Sequence, residues 1–75
     1  MHASLSLSRF RTGDKVRIDA RGAFYAEIDG ERGRVVAVGP KEPNACHSQV
    51  PGGYCAVESE GRVFLVPHNE LAFDL

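Results

Sequence analysis

The chain has no continuous apolar run long enough to span a membrane or to form the centre of a secretory signal. Its opening residues, Met1-His2-Ala3-Ser4-Leu5-Ser6-Leu7-Ser8, instead mix leucine with polar residues. Two cysteines in a chain without a secretory signal read as free thiols, so Cys46 and Cys55 are expected to be unbonded in a cytoplasmic protein. A surplus of basic residues is also missing: 9 Lys and Arg stand against 10 Asp and Glu, a formal charge of −1. That removes the simplest argument for a nucleic-acid binder, which needs a cationic excess to neutralise phosphates. No helix of about ten residues or more is legible in the pattern. No phosphate-cradling glycine loop, nucleophile elbow or paired-carboxylate signature occurs either.

Metal and thiol chemistry find equally little support. Cys46, His47, Cys55 and His68 supply the donor types of a zinc site, but they contain no Cys-x-x-Cys pair, and the adjacent Cys46 and His47 do not easily converge on one ion. Neither histidine comes with a third group that would orient it against a thiol. The expectation is no metal, no cofactor and no catalytic residue. Cys55 reads as a small buried hydrophobe in a strand and Cys46 as an exposed loop thiol.

What is present is the composition of an ordinary folded domain, 43% hydrophobic and 25% charged over 75 residues. A chain of this length forms one domain with one core and buries roughly 60% of the surface it exposes when unfolded. In Lys15-Val16-Arg17-Ile18-Asp19-Ala20 apolar and charged residues alternate, predicting a strand with one wet face, which Arg21-Gly22 ends. Residues 23–29 carry Phe24, Tyr25 and Ile28 at the spacing of one helical turn. They read as a loop that folds its apolar residues over the core. Gly30 and Gly33 bracket Glu31-Arg32 as a tight turn, and the β-branched run of residues 34–38 is the second strand. Residues 39–53 hold Pro40, Pro43 and Pro51 and form a long loop. Residues 54–58 and 62–66 are the third and fourth strands, joined as an antiparallel hairpin through Ser59-Glu60-Gly61. A short turn at 67–70 leads to a last strand at 71–75. The predicted architecture is all-β: a five-stranded small barrel over residues 13–75, preceded by a flexible leader or edge strand at 1–12.

Charge is uneven along the chain. Residues 1–37 hold seven basic side chains, namely Arg9, Arg11, Lys15, Arg17, Arg21, Arg32 and Arg34, against five acidic ones, while the remainder holds two against five. Arg17, Arg21, Arg32 and Arg34 are candidates for a partner-binding patch at one end of the barrel. The competing reading is a solvated face neutralised by Asp19, Glu27 and Glu31. Phe24 and Tyr25 are candidate aromatic contacts, since adjacent residues rarely both point inward; of the two, Phe24 is expected to serve as a core lid. Tyr54 beside the long loop is expected to line a groove with Tyr25 and Pro51 that suits an extended peptide.

Gly13-Asp14-Lys15-Val16-Arg17-Ile18, Gly22 and Gly30-Glu31-Arg32-Gly33-Arg34-Val35-Val36-Ala37-Val38 together resemble the KOW-type element of SH3-like barrels in ribosomal and transcription-factor proteins. Phe64-Leu65-Val66-Pro67-His68-Asn69-Glu70-Leu71 is similar to the strand, one-turn helix and last strand that close many such barrels. The outline also resembles the variable chain of ferredoxin-thioredoxin reductase and the stromal peripheral subunit of photosystem I. These resemblances imply an SH3-like barrel that docks a larger protein or a second copy of itself. The alternative they imply is a KOW-type RNA- or ribosome-associated module, although Asp19, Glu27, Asp29 and Glu31 interrupt the arginines. No membrane partner is expected.

Overall fold

The computed structural model describes residues 9–39 and 50–74. The opening residues 1–8 and most of the long loop, with Cys46 and His47, lie outside the described residues. The strands are β1 (Lys15–Ile18), β2 (Arg32–Val38), β3 (Tyr54–Ser59), β4 (Arg62–Pro67) and β5 (Leu71–Phe73), with 3-10 helices at Ala23–Ile28 and His68–Glu70. All strand pairings are antiparallel and the order across the sheet is β4-β3-β2-β1-β5. The all-β class, the five short strands and the helical turn before the last strand are as the sequence predicts. No helix among the described residues is long and apolar enough to cross a membrane.

Alternation sets the inner face. Val16 and Ile18 of β1, Val35 of β2, Cys55 and Val57 of β3, Val66 of β4 and Leu71 of β5 form one buried cluster, with Tyr25, Ile28, Val38, Phe64 and Phe73 packed against it. All five strands therefore share a single core. Phe10 completes it from before β1: the side chain is 2% exposed, with its ring centroid 4.6 Å from Phe73 and 5.8 Å from His68. The Arg9 guanidinium lies 5.7 Å and 5.6 Å from the centroids of Phe10 and Phe73 and covers the pair.

Local chemistry fixes the strand ends. β1 stops at Ile18 because the next amides leave the ladder: Asp19 N–H donates to the Glu70 carbonyl at 2.9 Å and Ala20 N–H to Asp29 Oδ1 at 2.8 Å. Gly30 makes the expected turn, with φ of +85°. Gly33, read from sequence as the far bracket of that turn, is instead a strand residue of β2 opposite Val16. A Cβ on it would sit 2.3 Å from the Glu58 carbonyl oxygen, so glycine is required by the close approach of the β3 backbone. Between Val35 and Ala37 the register of β2 shifts against β3, and Val36 turns outward, 42% exposed. Glu60 and Gly61 both take positive φ, +53° and +83°, in a two-residue loop closed by the Ser59 and Arg62 pair.

Candidate functional site

Residues 23–28 form a 3-10 helix and not an open loop. Its entry is held by one carboxylate: Glu70 Oε1 accepts the Arg21 N–H at 2.7 Å and the Gly22 N–H at 3.2 Å. At its exit, Asp29 N–H donates to the Ala26 carbonyl. With both ends tied, adjacent Phe24 and Tyr25 differ in burial while their rings stay in contact. Tyr25 packs on the core and donates its hydroxyl hydrogen to the Leu65 carbonyl of β4 at 2.7 Å. Phe24 is 86% exposed and meets the Tyr25 ring edge-on at 4.8 Å between centroids. The expectation that Phe24 is the core lid is thus corrected. Tyr25 is the lid, because its hydroxyl finds a carbonyl acceptor that phenylalanine cannot use.

The Tyr25 hydroxyl is shifted above the ordinary tyrosine value of 10.0, first by burial and then by electrostatic repulsion of its anion from the Tyr54 phenol group when that ionises and from Glu70. Tyr54 is half-buried opposite Pro67 at the start of β3. Pro51 is exposed, and its carbonyl accepts the Tyr54 N–H at 3.1 Å. Tyr25 and Tyr54 thus lie on one side of the molecule with Pro51 bonded to the latter through backbone.

The arginines divide differently from the sequence expectation. Arg17 faces Arg32 and Lys15 faces Arg34 across the β1 and β2 ladder, so four cations occupy two neighbouring cross-strand pairs on the outer face. Arg21 is not part of this face; it pairs with Asp19 at 3.0 Å beside the first 3-10 helix. Of the neutralising carboxylates expected from sequence, Asp19 pairs with Arg21, whereas Glu31 is taken by an arginine outside the patch. Glu31 pairs with Arg62 at 2.8 Å, and Arg32 Nε lies 3.7 Å from Asp74 Oδ1. Among the described residues Lys15, Arg17 and Arg34 have no carboxylate within ion-pair distance, and Arg17 Nε is buried without a hydrogen-bond partner. Lys15, Arg32 and Arg34 line an open depression of about 500 Å³ together with Glu58, Glu60 and Asp74.

Beside the cations the outer face turns apolar. Val63 and Leu65 of β4 are 60% and 44% exposed, and they pair with Glu58 and Ala56 of β3. Sequence reasoning missed Lys15, Leu65 and Glu70. Period-two alternation from Arg17 reaches Lys15, whereas Glu70 carries no local signal, since the amides it accepts lie 48 and 49 residues away. Cys55 is the buried hydrophobe expected, a free thiol within the core whose pKa burial pushes up to about 11. No group of three or more metal-ligating side chains occurs among the described residues. Comparison with protein-family models, with curated proteins and with solved structures returned no match for this chain.

Proposed function

We propose that this chain is a non-catalytic docking module of the SH3-like type, which engages a larger protein or a second copy of itself through the platform formed by Phe24 on Tyr25. The observation that carries this reading is the exposure of Phe24 on a rigid support. A phenylalanine 86% exposed contributes almost nothing to the core. Yet the turn beneath it is held by Glu70, Asp29 and the Tyr25 hydroxyl. Preorganised aromatics with few rotatable bonds are the usual anchors of protein interfaces. Leu65 and Val63 extend the apolar surface on the neighbouring edge strand.

Closure of the sheet into an SH3-like barrel belongs to the same proposal. It is supported by the strand order, by the 3-10 helix between β4 and β5 and by the bond from Tyr25 to Leu65, which ties the connection after β1 to a strand three places away in the sheet. The glycine and valine pattern resembling a KOW element supports a second reading, an RNA-associated module that uses the β1 and β2 cations. Its signature is RNA binding that weakens steeply with salt.

Affinity purification and sedimentation of the wild-type protein and of Phe24→Ala test the docking reading. The substitution should leave folding stability within about 0.5 kcal/mol of wild type. It should also remove a stoichiometric partner or a dimer present in the wild type. A wild-type protein that sediments as a monomer and retains no stoichiometric partner refutes the reading.

A further inference from the structure

We infer that the outer face of β1 and β2 binds an extended acidic protein segment whose carboxylates stand at alternating positions. The inference goes beyond the Phe24 platform and holds or fails independently of it. Like charges placed directly across an antiparallel ladder destabilise a sheet. Here two such pairs, Lys15 with Arg34 and Arg17 with Arg32, are adjacent. Folding alone gives no reason for this placement, and the charges are only partly neutralised from within. Glu58 stands across β2 from Arg34 without forming an ion pair, and the contact of Arg32 with Asp74, at 3.7 Å, is a long one.

The spacing selects the ligand. Facing cations are about 5 Å apart across the ladder, and successive pairs are about 7 Å apart along it, measured at Cα. A strand-like segment laid along β1 repeats its outward side chains at that same interval of about 7 Å. Two carboxylates two residues apart therefore each settle between a facing pair of cations, where arginine offers bidentate geometry.

The surroundings favour protein over RNA. Sequence-tolerant binding of single strands relies on aromatic rings for base stacking. The depression that Lys15, Arg32 and Arg34 line holds no aromatic residue. Glu58, Glu60 and Asp74 line the same depression, which limits the cationic strip to the two facing pairs and suits a short acidic stretch better than a continuous phosphate chain. Asp74 is the internal competitor for Arg32.

Fluorescence anisotropy with the full chain tests the inference, using three labelled probes: a peptide of about ten residues alternating Asp with Thr, one of equal composition with its aspartates in a single block, and an oligouridylate of similar length. The alternating peptide should bind at low salt and weaken at least about fivefold between about 20 and about 200 mM salt. It should bind at least about threefold more tightly than the block peptide. Arg34→Glu should lose about tenfold in affinity. The same variant should stay within about 4 °C of wild type in Tm, because it gains an opposite-charge pair with Lys15 and a like-charge pair with Glu58. Asp74→Asn should bind about two- to threefold more tightly. Absence of binding to the alternating peptide at about 1 mM overturns the inference, as does tighter binding of oligouridylate than of peptide, or an Arg34→Glu protein that is folded and binds undiminished.

Discussion

Replacing Tyr25 by phenylalanine removes one oxygen and, with it, the bond that holds the first 3-10 helix to the edge strand. The hydroxyl lies 2.7 Å from the Leu65 carbonyl, a short neutral hydrogen bond. Counting from the Ser59 and Arg62 pair that closes the hairpin, Ala56 and Leu65 form a non-hydrogen-bonded pair, so the Leu65 carbonyl points away from β3. Water replaces the lost partner there, because Leu65 is 44% exposed. The loss should therefore fall in the lower part of the usual range, about 0.5–1 kcal/mol. Tyr25→Ala removes the ring as well; a half-buried aromatic on the core should lose about 2–3 kcal/mol, below the range for a fully buried one. Urea denaturation gives both values, and amide exchange of residues 23–28 reads the local effect, which should be faster exchange in Tyr25→Phe without change in β1 to β3. The sign with pH follows from the raised pKa. The unfolded tyrosine ionises near 10 while the folded one keeps its proton, so stability falls as pH rises above that value, and Tyr25→Phe should show a shallower fall. A Tyr25→Phe protein with wild-type stability and wild-type exchange in the 3-10 helix would falsify the account of Tyr25 as the tie.

Two further outcomes test the core. Phe10→Ala should lose about 3–5 kcal/mol in denaturant titration, a large share of the ~4–11 kcal/mol expected of a domain this size; a loss under about 1 kcal/mol means that Phe10 does not belong to the core. For Cys55 the folded pKa of about 11 exceeds the unfolded 9.0. Stability from this group is complete below pH 9 and is lost as pH rises to 11, by roughly 2–3 kcal/mol. Cys55→Ala should be less stable at neutral pH yet lose less between those limits, and the wild-type thiol should resist modification at pH 8 until urea unfolds the chain.

The strands were legible because alternation is a local code: Val16, Ile18, Val57 and Val66 sit at the period that one buried face demands. What escaped the sequence is what distant backbone decides. Gly33 looked like a turn glycine because nothing near it in the chain announces the approach of Glu58. Phe10 stands between two arginines ahead of the first strand, outside any alternating run long enough to mark it, and only the fold brings Phe73 and His68 to its ring. The candidate aromatics were identified, but which of them faces inward depended on a carbonyl 40 residues away. Arg17 and Arg32 face each other because antiparallel pairing of neighbouring strands is nearly local. Arg21 lies beyond the end of β1 and pairs with Asp19.

The bond from Tyr25 to Leu65 also bears on how this molecule can be approached. Among the described residues β4 is an outer strand of the sheet, and its outer backbone edge is the natural place for a foreign strand to add. With the Leu65 carbonyl taken by a hydroxyl from the same chain, the row of free acceptors along β4 is interrupted near its middle. A strand added to that edge has to displace the tyrosine first. The docking proposed above is thereby turned from the edge to the faces, from main-chain pairing, which accepts many sequences, to side-chain contacts, which discriminate among them.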